Sequence, residues 1–172
     1  MASSCLQHPY MIPRLYVEGV KSSEYLVAYN HDYLEAAGTC PAKAKCYGKV
    51  IYGSYNGIYD LIEKKAVRSF IVVFPPAYSE GIVVEEGTHL EPIPVEGVRV
   101  ALEVCEGKSV SIGDTIALVA TRKREVRRIR SHVDGIVVYV YSSPTGGIER
   151  DIVFIAPREA VRNVRVAVGE RG

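Results

Sequence analysis

Six cations crowd into nine residues of this chain: Arg122, Lys123, Arg124, Arg127, Arg128 and Arg130, opposed by one acid, Glu125. A guanidinium is a planar fork of N–H donors that matches carboxylate and phosphate oxygens. Such a run is therefore a candidate polyanion site for RNA or DNA, with strongly salt-dependent binding. The run itself carries no ring for base stacking, and Tyr139 and Tyr141 on the following strand are the nearest ones. The structural alternative pairs the arginines with Glu85, Glu86, Glu103 and Glu106 in surface ion networks, or leaves them to guard a sheet edge.

Other chemistry is sparse. His8, His31, His89 and His132 show no H-x-H or H-x-x-x-H spacing for a catalytic metal. His89, in EEGTHLEP beside Glu85 and Glu86, is the most suggestive polar cluster outside the basic run. Cys40 and Cys46 are separated by five residues, which leaves a local disulfide, a metal ligand pair or plain thiols all open. No phosphate-cradling glycine motif occurs, and no serine sits in a nucleophile elbow. Asp151 and Glu149 flank Arg150 as a turn-and-edge ion pair would. No catalytic residues and no metal site are assigned, and the reading is of a protein that is not an enzyme.

The chain has 172 residues with 48% hydrophobic and 24% charged residues, a globular composition with enough apolar mass for a real core. Its formal net charge of +1 makes any basic surface local. No apolar run approaches the roughly 20 residues that span a bilayer. The first residues, MASSCLQHPYMIPRLYVEG, lack a secretory n- and h-region. A soluble, cytoplasmic protein is expected, with no membrane partner and with oligomerisation open. The Arg- and Val-rich second half and the short polar loops point to a thermophilic source, where cytosolic disulfides occur.

The elements that must position the basic run are short strands. Residues 1–95 read as a small α+β region. Its strands are Pro13–Gly19, Glu24–Tyr29, Tyr47–Tyr55 and Ser69–Phe74, and Gly81–Val84 with the Pro-interrupted stretch Glu91–Val95 leads into the second part. A helical turn is expected from Asp32 to Ala37 and a helix from Asn56 to Val67, where Ile58, Leu61, Ile62 and Lys65 fall near one face. The run Ser69–Phe74, halted by Pro75-Pro76, predicts a buried strand. Residues 96–172 read as a β domain of period-two strands divided by glycine turns: 98–104, 109–110, 115–120, 126–130, 136–141, 151–155 and 163–168. The basic run is then the tip and outgoing strand of a hairpin.

Over residues 98–156 this pattern resembles the biotinyl/lipoyl carrier domain, a barrel-sandwich hybrid. Gly107 and Val110 match that family's first turn, Gly113-Asp114 its Gly-Asp turn, Lys123 its lysine, Ser131 its small residue after the strand, and Gly135-Ile136-Val137 its Gly-x-Val. The two halves of the region also echo each other, as carrier domains do. The resemblance implies a flattened two-sheet fold and, at Lys123, an attachment point for biotin or lipoate. Two departures stand against modification. Arg122 and Arg124 flank Lys123 where carriers place Asp or Met, and one extra residue separates Lys123 from Gly135. The chain as a whole resembles an archaeal family of uncharacterised proteins that carries such a domain. The implied role is a non-catalytic scaffold or interaction module without cofactor. A covalent carrier modified at Lys123 and a polyanion-binding module using Arg122 to Arg130 are the alternatives.

Overall fold

Valine, isoleucine and tyrosine dominate the alternating segments, and branched or aromatic side chains of this kind pack well on a pleated surface. The computed structural model describes residues 11–30 and 33–167, and the regular secondary structure in them is almost wholly strand. The strands of the first half are β1 (Arg14–Glu18), β2 (Tyr25–Ala28), β3 (Tyr33–Ala37), β4 (Lys45–Val50), β5 (Tyr59–Asp60), β6 (Lys65–Ala66), β7 (Phe70–Val73) and β8 (Glu80–Val84). They are followed by β9 (Glu91–Gly97), β10 (Arg99–Leu102), β11 (Ser109–Val110), β12 (Thr115–Ala120), β13 (Val126–Arg130), β14 (Gly135–Ser142) and β15 (Glu149–Ala156). A 3-10 turn (Arg158–Ala160) leads into β16 (Val161–Ala167).

Seven strands close into a barrel in the order β1-β4-β2-β3-β16-β8-β7, with β1 and β7 pairing to shut it. Two further sheets, β10-β12-β13 and β11-β14-β15-β9, face each other as a sandwich. Strand β16, which by alternation alone reads as the last strand of the second part, instead completes the barrel. It runs antiparallel to β8 and parallel to β3. The sandwich is thus an excursion between β8 and β16, entered at Glu91 and left at Ala156, with Glu91 paired to Ile155.

Three apolar layers hold this together. Tyr16, Leu26, Tyr47, Ile71, Val83 and Val164 fill the barrel. Val95, Ile116, Val119, Val137 and Val153 fill the sandwich. Between the two, Leu15, Val17, Phe70 and Val72 on the barrel wall meet Val138, Tyr139, Phe154 and Ala156 on the four-stranded sheet. Strand β7 is therefore buried on both faces, which is why its sequence is continuously apolar rather than alternating. Each fully buried residue of this kind contributes about 1.5–3 kcal/mol of burial free energy.

The first half differs from the expected α+β region. Among the described residues it holds no α-helix, and the expected helix Asn56–Val67 is the small hairpin β5–β6. Ile58 goes fully into the inter-part core while Ile62 is 93% exposed, so the two do not share a buried face. The Asp60 carboxylate accepts the N–H groups of Ile62 and Glu63, fixing the turn that helical continuation would need to abolish. Residues 33–37 are strand β3, not a helical turn, and the Asp32 start of that expectation lies outside the described residues, as do Cys5, His8 and His31.

Candidate functional site

The basic run folds as the β12–β13 hairpin, with the incoming strand buried and the outgoing one exposed. Its base is interlocked with the neighbouring corner. Gly113, at φ +94°, donates its N–H to the Ser131 carbonyl, and Ser131 returns a bond to the Asp114 carbonyl. Asp114 accepts from Ser111 N–H and Asp134 from Ile112 N–H. The Gly-Asp turn, Ser131 and Asp134 form one hydrogen-bonded knot below the hairpin.

At the other end the tip is a tight turn. Arg124 N–H donates to the Thr121 carbonyl at 3.0 Å, and Thr121 N–H donates to the Glu125 carbonyl at 2.8 Å. Arg122 and Lys123 are the central residues of the turn, and Arg124 takes a left-handed conformation at φ +63°. All three side chains are exposed. The Ala120 carbonyl accepts from Val98 N–H, beside the Gly97 end of β9. Glu91, where the chain enters from the barrel, is six residues away along that strand, about 20 Å. The tip therefore stands at the end of the sandwich remote from the barrel.

Strand β13 pairs with β12 alone, and among the described residues no strand lies beyond it. Arg127 and Ile129 share the face of Val119 and Ala117, and Arg128 lies on the opposite face with Leu118. Arg127 reaches Glu125 at 3.6 Å, and Arg130 donates to the Gly113 carbonyl at 3.0 Å. Arg122, Lys123, Arg124 and Arg128 make no ion pair among the described residues. The ion network expected with Glu85, Glu86, Glu103 and Glu106 does not form there: Glu85 instead takes Arg162 and Ser69. The tyrosines of the next strand are engaged in the packing between the two parts. Tyr139 is fully buried, and Tyr141 packs edge-on against Tyr59.

The structure assembles one cluster that the spacing of its members conceals. Glu91 accepts from His132 Nε2 at 2.8 Å, His89 Nε2 at 2.9 Å and Lys64 Nζ at 3.4 Å. Burial works against the Glu91 carboxylate, but the bonds from His132, His89 and Lys64 outweigh it and hold the group at about 2. His89 thus faces Glu91 and not Glu85 or Glu86. The cluster ties the β5–β6 hairpin, the β8–β9 connection and the β13–β14 corner together. Among the described residues no group of His, Cys, Asp and Glu is arranged to hold a metal. A second carboxyl, Glu106, is pushed up to about 7 by burial. Neither carboxyl carries a motif by which sequence alone would find it.

Cys40 and Cys46 are joined in a disulfide with Cα atoms 6.0 Å apart, which settles their alternatives. Cys105 is disulfide-bonded as well. Among the described residues no helix is long and apolar enough to cross a membrane.

Barrel, sandwich and distal cationic hairpin define an all-β protein of two packed parts. The chain belongs to DUF2118, a family described as an uncharacterized protein conserved in archaea, which it matches over residues 10–158. It is also similar to an uncharacterized protein of Methanocaldococcus jannaschii, 27% identical over 158 residues that cover 88% of this chain and 94% of that protein.

Proposed function

We propose that this protein is a non-catalytic interaction module, cytoplasmic and soluble, that uses a biotinyl/lipoyl-like sandwich to present the β12–β13 hairpin to a partner. The observation that carries this reading is the placement of the hairpin. Its tip is about 20 Å along β9 from the barrel junction, knotted at its base and exposed at its end. The likeness to a carrier domain is supported by internal symmetry. The pairings β10–β12 and β12–β13 in one sheet are repeated by β14–β15 and β15–β9 in the other. In that repeat the tip of β12–β13 occupies the place taken on the other side by the chain's entry and exit.

A second reading, a covalent carrier of biotin or lipoate on Lys123, is favoured by one observation: Lys123 is an exposed central residue of the tip turn. The flanking Arg122 and Arg124 weigh against it, because a modifying enzyme meets two extra cations beside its target. Peptide mass spectrometry of protein purified from its native cells separates the two. An unmodified Lys123 supports the module, and a biotinyl or lipoyl mass on that residue supports the carrier.

A further inference from the structure

We infer that β13 is a docking edge for an extended acidic segment of a partner protein, which adds as a strand beside Val126–Arg130. This rests on the reading of the hairpin as the presented element and names the chemistry of what it binds. Two independent observations point to it. First, among the described residues β13 has one neighbouring strand, so the backbone N–H and C=O groups on its outer side are open to a further strand. Second, the cations of β13 alternate across its two faces: Arg127 lies with Ile129 on the side of Val119, and Arg128 lies with Leu118 on the other. The side chains of an added strand alternate in the same way, so acidic residues at successive positions meet a guanidinium on either face.

That alternation also decides between partner classes. A nucleic-acid duplex would lie against one face and leave the other cations unused, and the exposed part of the hairpin offers no ring for a single-stranded base. Val126, 71% exposed beside Arg127, gives an incoming strand an apolar contact that a phosphate backbone does not need. A cationic edge repels basic strands and offers neutral ones no ion pair, so the feature that discourages indiscriminate pairing selects an acidic partner.

The test is fluorescence anisotropy with a short labelled peptide carrying glutamate at successive positions between two valines, which puts carboxylates on both faces of the added strand, beside the same peptide N-methylated at alternate backbone nitrogens. Strand addition predicts that N-methylation weakens binding by about tenfold or more, and that R127E/R128E does the same. It also predicts slowed hydrogen exchange at the amides of 126–130 when the unmethylated peptide is bound. The methylated peptide leaves the protein untouched, so its result does not depend on the folding of a variant. Equal affinity for the two peptides overturns the inference. So does double-stranded RNA binding more tightly with no protection of the β13 amides, and so does the absence of peptide binding. If the peptide fails while a native partner still cross-links to Lys123, strand docking is wrong and the module reading stands.

Discussion

The hydroxyl of Tyr139 donates a 2.7 Å hydrogen bond to the carbonyl oxygen of Tyr55, 84 residues earlier in the chain. The Tyr139 hydroxyl oxygen in turn accepts from Gly53 N–H at 3.2 Å, and the Tyr139 ring packs edge-on against Tyr52. One phenol on the four-stranded sheet thereby satisfies two backbone groups of the loop that follows the barrel strand β4. Burial pushes that hydroxyl far above the usual tyrosine range, so it stays protonated and donating throughout the accessible pH range.

Tyr139→Phe keeps the ring and removes both bonds. The Tyr55 carbonyl and the Gly53 N–H then lack a partner in a partly buried site, at a cost of about 1–3 kcal/mol. Urea unfolding followed by circular dichroism measures this. Because the contact joins the two parts, the variant should still unfold in one transition at lower denaturant.

Glu91 and Glu106 predict opposite pH dependences. The folded pKa of Glu91, about 2, lies below its ordinary 4.5. Its contribution is therefore present above about pH 4.5 and lost as pH falls toward 2. Allowing for solvent screening, it amounts to about 1–2 kcal/mol, and Glu91→Gln should flatten the acid limb of the stability curve by that amount.

The folded pKa of Glu106, about 7, lies above 4.5, so stability is greater below pH 4.5 and is lost as pH rises through 7. Glu106→Gln should raise stability at pH 8 relative to the native chain by about 1–3 kcal/mol and leave it little changed at pH 4. Thermal melts across pH check both variants, and a parallel response of the two would contradict the assignments.

Arg124 occupies a left-handed position that glycine adopts without steric cost. Arg124→Gly should stabilise the hairpin by about 0.5–1 kcal/mol, the relief of steric strain being partly offset by the greater freedom of the unfolded chain. Chemical denaturation reads the change, and a loss of stability would place the turn elsewhere.

Gly135 carries a different constraint. A Cβ there would collide with the carbonyl oxygen of Ala156 and approach the Ile155 side chain at 2.7 Å. Gly135→Ala must push β14 from β15 and should cost about 1–3 kcal/mol or more. The Gly-x-Val at this point of the sequence is thus a matter of strand approach rather than of positive φ.

The hairpin is legible in the chain because everything that shapes it is local: Gly113-Asp114 at its base, alternation through Thr115–Ala120 and a polar tip at Arg122–Arg124. The helix expected at Asn56–Val67 fails because Ile58, Leu61 and Ile62 suit helical spacing, while Ile58 alone has a core to enter. Strand β16 is visible as a strand, but period-two alternation carries no information about which sheet a strand joins. His132 and Glu91 meet across 41 residues through strand pairing, which no spacing rule encodes. Cys40 and Cys46 sit close enough in sequence for a bridge, yet only the approach of the β3–β4 connection to β4 decides that it forms.

The most direct test of the hairpin as the presented element is lysine-reactive cross-linking of the protein in its native cells, followed by peptide mass spectrometry read at Lys123. An unmodified Lys123 whose amine is linked to a partner protein, with barrel lysines such as Lys45 and Lys49 unlinked to it, is the expected result. A biotinyl or lipoyl group on Lys123, or partner links confined to the barrel, would contradict it.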